Sequence, residues 1–139
     1  MTTAVGYSAE VIRRCRTLTR AGSWPDDDPR VGTGVVGSLD AGTMTRFQVQ
    51  VAADGDRVED ARFKVFGCSA AIASASLAAD RVAGASLAKA QAIDAGELAD
   101  ALDLPDEKRA MPAHAVAAVR AAIEDWVRKS SEQRLGASG

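Results

Sequence analysis

The sequence predicts an α+β fold, and two observations carry that prediction. The middle of the chain holds two strand patterns joined by a tight turn. In the first, Phe47, Val49 and Val51 alternate with Arg46, Gln48 and Gln50; the second runs from Val58 to Phe66 after the turn Ala53-Asp54-Gly55-Asp56. On either side of this hairpin, apolar residues recur at helical spacing. The antiparallel pair has one apolar face, and the helical segments are what the chain offers to cover it.

The chain of 139 residues fits one domain. Hydrophobic residues make up 47% of it and aromatics 4%, so the core must be built from Ala, Val, Leu and Ile. A formal charge of −2 gives no global attraction to nucleic acid or to an anionic membrane surface. Two cysteines, not in a CxxC pair, do not make a disulfide framework. The start has no apolar signal-peptide region, and no run of about 18 apolar residues is present to span a bilayer. A reduced, cytoplasmic setting is expected.

Taken in order, Ser8 to Arg20 reads as a helix capped by Ser8, with Val11, Ile12, Cys15 and Leu18 on its apolar face. Cys15 is expected to face the core. Arg13, Arg14, Arg16 and Arg20 form a basic surface, most simply a solvated face and otherwise a dock for an acidic partner. Ala21 to Arg30 is loop, broken by two prolines, a glycine and three consecutive aspartates. Val31 to Gly42 carries four glycines, too many for a plain strand, although Val35 and Val36 can pair. Its spacing is neither GxGxxG nor a Walker loop, so it gives little support to phosphate binding. In the hairpin, Phe47, Val49, Val51, Ala61, Phe63 and Val65 face the cover, while Arg46, Gln48, Gln50, Arg62 and Lys64 face water.

Beyond the hairpin, a helix of small residues ends at Gly84. Short helical pieces follow near Leu87 to Ile93 and Ala95 to Leu102, then a loop from Leu104. A last helix starts near Pro112 with Val116, Val119, Ile123, Trp126 and Val127 buried and Arg120, Glu124, Asp125, Arg128 and Lys129 in water. Ser130 to Gly139 reads as a polar tail.

The stretch with most chemistry is Ala61 to Val82, ARFKVFGCSAAIASASLAADRV. Gly67 permits a sharp strand-to-helix turn and places Cys68 at the helix N-terminus, where free backbone amides and the helix dipole favour a thiolate. A buried apolar cysteine fits the same pattern, and chemistry alone leaves both readings open. Cys68 at the turn and Cys15 in the core are expected to lie apart and unlinked.

The order of a helix, VGTGVVG, FQVQV/ARFKVFGC, Cys68-SAAIASASLA and a late LPxxK loop resembles the NifU/IscU-type iron–sulfur cluster scaffold proteins, over roughly Tyr7 to Trp126. The resemblance implies a small three-stranded antiparallel sheet with helices packed mainly on one face and a long C-terminal helix. The third strand would be Val35 to Leu39. It further implies a single NifU/IscU-like domain over 1–139, with a flexible start at about 1–6 and a tail at about 130–139.

The same resemblance implies assembly of a [2Fe–2S] cluster on three cysteines, with sulfur from a cysteine desulfurase and delivery to a client or carrier protein. Of the three positions, Cys68 keeps its cysteine. The first falls on Ala41-Gly42-Thr43, which lacks both the thiol and the family's aspartate; the third falls on Met111, preceded by Ala110 where the family has histidine. The family's LPPVK chaperone-docking segment survives as Leu104, Pro105 and Lys108, with Asp106-Glu107 inside it, so docking of an Hsp70-type chaperone is only partly supported. Asp40, beside the first position, and His114, three residues past the third, are candidate metal ligands with Cys68. Helical arithmetic turns His114 away from the Val116/Ile123 stripe.

Two irons need four terminal ligands besides bridging sulfide, so Cys68 alone cannot hold a [2Fe–2S] cluster within one chain. The expected function is a scaffold-like binding protein without turnover of its own. Through Cys68 it accepts sulfur or ligates iron or a cluster, weakly, transiently, or shared between subunits of a homodimer or with a partner. The alternative is a partner-binding or regulatory paralogue with no cluster chemistry. An enzyme with Cys68 as nucleophile is disfavoured, because His114 would be the only available histidine base.

Overall fold

A computed structural model describes residues 6–38 and 40–138, with side chains through Glu132. Helix α1 (Ala9–Arg16) precedes strands β1 (Val31–Ser38), β2 (Thr43–Val51) and β3 (Val58–Phe66). Helices α2 (Ser69–Val82), α3 (Leu87–Gln91) and α4 (Ala95–Ala101) follow, then a 3-10 turn at Asp106–Lys108 and helix α5 (Pro112–Ser138). The strands form one antiparallel sheet in the order β1-β2-β3. The predicted α+β class, three-stranded sheet and long final helix are all present.

Phe47 sits at the middle of this sheet, opposite Phe63 on β3 and Gly34 on β1. Phe47, Val49, Val51, Ala61 and Phe63 are buried on the helix side together with Ala70, Ala73 and Leu77 of α2 and Ala118, Val119, Ala122 and Ile123 of α5. Burying this much apolar surface is the main term holding the layers together. Val65 on the same side is partly buried.

The glycine-rich segment is a full strand beginning at Val31, four residues before the expected start of the third strand; Leu39, its expected end, lies outside the described residues. The glycines are what place it. A β-carbon on Gly32 would stand 2.0 Å from the carbonyl oxygen of Ala122, and one on Gly34 2.3 Å from that of Ala118. Strand β1 therefore lies directly against the backbone of α5, a separation that any side chain at these two positions would prevent. The backbone amide of Thr33 donates to Asp125 (2.9 Å), and Lys129 Nζ donates to the carbonyl of Val31 (2.9 Å). Asp125 and Lys129, expected in water, thus cover the outer edge of β1. At the other edge, Phe63 N–H donates to the Arg20 carbonyl and Gly22 N–H to the Phe63 carbonyl, so the 20–22 segment runs beside β3.

Several side chains depart from expectation. Gln48 is buried because the 21–30 loop folds over the outer face. Its side chain accepts from Trp24 N–H (2.8 Å) and donates to the Trp24 carbonyl, Asp26 and Thr33. Arg62 stacks over the Trp24 ring at 4.5 Å. Helix α1 ends at Arg16, leaving Leu18 outside it and exposed. Arg14 is buried rather than part of a basic surface, bonded to Ser76 (3.0 Å), Asp80 (2.7 Å) and Glu10 (2.7 Å). Val127 is exposed. Helix α5 continues through Ser138, where a polar tail was expected; the segment holds no proline, and Glu132, Gln133, Arg134 and Leu135 are good helix formers. Of the expected flexible ends, residues 1–5 and Gly139 lie outside the described residues.

Candidate functional site

The site is built where β3 gives way to α2. Phe66 ends the strand, Gly67 turns the chain, and Cys68 caps α2 with an extended backbone (φ −76°, ψ 170°). Gly67 faces the start of β2: a β-carbon there would lie 3.3 Å from Thr43 Cγ2 and 3.5 Å from Thr43 Oγ1. The β1–β2 turn, with Asp40 and Ala41 both exposed, is thereby at the same end of the sheet as the turn before Cys68.

The Cys68 thiol is partly buried, and burial alone would push its pKa up. The backbone amides of Ala71 and Ala70, the positive charge of Lys108 and a hydrogen bond with the Tyr7 side chain act the other way and outweigh it, leaving the pKa below the ordinary thiol value. The fold thus favours a thiolate at a helix N-terminus with its sulfur still reachable. Tyr7 is raised in turn, first by its own burial and then by the negative charge of Cys68.

Cys15 is the second thiol, and it packs against the core from α1, as expected. It is only partly buried, and its Sγ–H donates to the carbonyl of Ser69 (3.5 Å), the residue following Cys68. Burial first, and then the charge on Cys68, raises its pKa, while a hydrogen bond with the Ser69 side chain works against that rise. Both thiols are free, as expected, and Cys15 reaches the first turn of the helix that Cys68 caps.

Met111 packs against the core at the start of α5, and His114, one turn further in, is half-buried. Among the described residues, no three His, Cys, Asp or Glu side chains gather to hold a metal ion, so Cys68, Asp40 and His114 do not form such a group in this structure. Leu104 is buried, and Lys108 lends its charge to Cys68.

Tyr7 is the site residue that sequence reasoning missed. Its contact with Cys68 depends on α1 docking across α2, which no local pattern encodes. The signal available was its position immediately before the Ser8 cap, which ties it to the entry of α1. That cap is firmly placed: Ser8 Oγ accepts from Val11 N–H (3.2 Å) and donates to the Leu102 carbonyl (2.6 Å).

Residues 6–133 match the protein family described as NifU-like N terminal domain. The chain is 40% identical over 125 residues to the iron–sulfur cluster assembly scaffold protein IscU of Escherichia coli (strain K12), covering 90% of this chain and 97% of that protein. It is 35% identical over 129 residues to iron–sulfur cluster assembly protein 1 of Oryza sativa subsp. japonica, covering 93% and 75% respectively. Among solved structures, an N-terminal NifU-like protein from Brucella abortus superposes with a TM-score of 0.53 at 22% identity, covering 90% of this chain and 94% of that one. A candidate SUF-system scaffold from Fervidobacterium islandicum AW-1 superposes at 0.59 and 15% identity, covering 84% and 96%, and speaks for the fold alone.

Proposed function

This chain belongs to the NifU/IscU family of iron–sulfur cluster assembly scaffolds, and from that membership we propose that it serves cluster assembly through one thiolate, Cys68. The observation that carries the reading is the environment of that sulfur. Two helix amides, Lys108 and Tyr7 favour its thiolate while it stays partly exposed.

A thiolate so placed can take a sulfane sulfur from a donor persulfide, such as the one a cysteine desulfurase carries. Cys68 sulfur attacks the donor's outer sulfur, a new S–S bond forms at Cys68, and the donor's cysteine leaves as thiolate. The same thiolate is a soft ligand for iron. One such donor per chain does not complete the four terminal ligands of a two-iron cluster. The cluster cargo is therefore shared with a second copy or with a client protein. Asp40 and His114 are the proposed supplementary ligands. The protein has no turnover of its own in this reading, and the reduced cytoplasm is its proposed compartment. Leu104 is buried and Lys108 acts on Cys68, so these residues support the site more than a chaperone dock.

Anaerobic reconstitution with iron and sulfide, followed by visible absorption and iron count, tests the reading in wild type and in Cys68→Ala, Asp40→Ala and His114→Ala. Cluster absorption lost in Cys68→Ala and reduced in the other two supports it. Binding unchanged in Cys68→Ala overturns it. Absence of any cluster or persulfide in wild type, with a desulfurase still captured, favours the partner-binding paralogue instead.

A further inference from the structure

We propose that Cys15 is the resolving thiol of this site: once Cys68 carries a sulfane sulfur, Cys15 displaces it as sulfide and leaves a Cys15–Cys68 disulfide. The inference rests on the reading of Cys68 as a sulfur acceptor and gives that acceptor a way to release its load.

The placement is specific. Cys15 lies on the last turn of α1, and its thiol hydrogen bonds to the Ser69 carbonyl in the first turn of α2, one residue from Cys68. Both thiols are free and partly buried. Cys15 packs against the edge of the core beside the fully buried Val11, and its sulfur is directed at the first turn of α2. The neighbouring Arg14 pins α1 to the body of α2 through Ser76 and Asp80, which holds Cys15 in position. A disulfide needs the two Cα atoms within about 7 Å, and contact of Cys15 with the residue following Cys68 makes that separation attainable.

The chemistry closes without an outside reductant. Cys15 thiolate attacks the inner sulfur, Cys68 Sγ, forming the Cys15–Cys68 bond. The bond from Cys68 Sγ to the sulfane sulfur breaks, and that sulfur leaves with the bonding pair as hydrosulfide. The sulfane sulfur gains two electrons, and the two cysteine sulfurs together lose two. A dithiol reductant resets the pair for another round.

The test uses the full chain under anaerobic conditions, loaded with glutathione persulfide and then freed of small molecules. Intact and peptide masses are followed together with released sulfide. In wild type, the added sulfur should disappear as one sulfide per chain is released and the Cys15–Cys68 linked peptide appears. In Cys15→Ser and Cys15→Ala, each with a wild-type circular dichroism spectrum, the persulfide should persist at Cys68 and decay at about one tenth of the wild-type rate or slower. Persulfide that forms on Cys68 but never yields the linked peptide overturns the resolving role and leaves the scaffold reading standing; so does equal decay in the variants. If Cys68 never acquires the sulfur, both readings fall.

Discussion

Gly34 and Ala118 meet backbone to backbone: a β-carbon on the glycine would stand 2.3 Å from the alanine's carbonyl oxygen. A helix carbonyl cannot retreat as a flexible side chain can. Gly34→Ala should therefore cost about 3 kcal/mol or more, at the upper end of overpacking, and Gly32→Ala should behave alike. Urea unfolding reads it as a lowered midpoint. A midpoint unchanged in both variants would mean that β1 does not lie on α5.

Phe47 is fully buried between Phe63 and Gly34, so Phe47→Ala should cost about 3–5 kcal/mol. Gln48, on the opposite face, should also matter. Its removal strands the Trp24 amide and carbonyl beneath the loop, at a cost of about 1–3 kcal/mol. Val35→Thr, on an exposed position of β1, should stay within about 0.5 kcal/mol. Thermal or urea unfolding ranks the three.

How much of this was legible in the sequence follows from which neighbours decide each residue's surroundings. The hairpin read correctly because alternation is local, and the register Phe47 opposite Phe63 follows from it. Ser8 read correctly as a cap for the same reason. Strand β1 read poorly because its glycines answer to α5, far along the chain. Gln48 and Arg14 look like surface residues until the 21–30 loop and α2 close over them. At the site, Cys68 was visible from the strand-turn-helix pattern. Tyr7 and the nearness of Cys15 arise from one docked helix and have no signature of their own.

Thiol reactivity should divide by pH. The Cys68 pKa lies below the ordinary thiol value and that of Cys15 above it, so Cys68 keeps a reactive thiolate at lower pH and Cys15 needs higher pH. Iodoacetamide labelling rates at each peptide between mildly acidic and alkaline pH give both profiles. Lys108→Ala and Tyr7→Phe should each move the Cys68 profile to higher pH. Faster labelling of Cys15 than Cys68 at neutral pH would reverse the assignment.

Arg14→Met removes a buried guanidinium that holds α1 to Ser76 and Asp80. It should cost about 1–3 kcal/mol, limited by the partial exposure of Asp80. Because α1 also carries the approach of Tyr7, the same variant should raise the pH at which Cys68 is alkylated. Destabilisation with an unchanged alkylation profile would separate the clamp from the site.

Restoring thiols should restore metal affinity. Ala41→Cys with Met111→Cys places thiols at the two positions where the family resemblance expects them, and Thr43→Asp, beside Gly67, adds a carboxylate. Metal sites contribute many kcal/mol of apparent binding, so anaerobic reconstitution should give clearly higher iron and cluster absorption than wild type. Equal loading would mean these loops do not reach Cys68.

Asp125 and Lys129 on one side, and the 20–22 backbone on the other, leave neither border of the sheet as an uninterrupted row of open amides and carbonyls. Two copies joining by continuing one sheet into the next would have to displace these contacts at the start of β1 or at the middle of β3. A pair that shares cargo at Cys68 has to meet through the turns and helix start at that end of the molecule. Under a twofold axis this is a head-to-head arrangement with the two sulfurs near the axis.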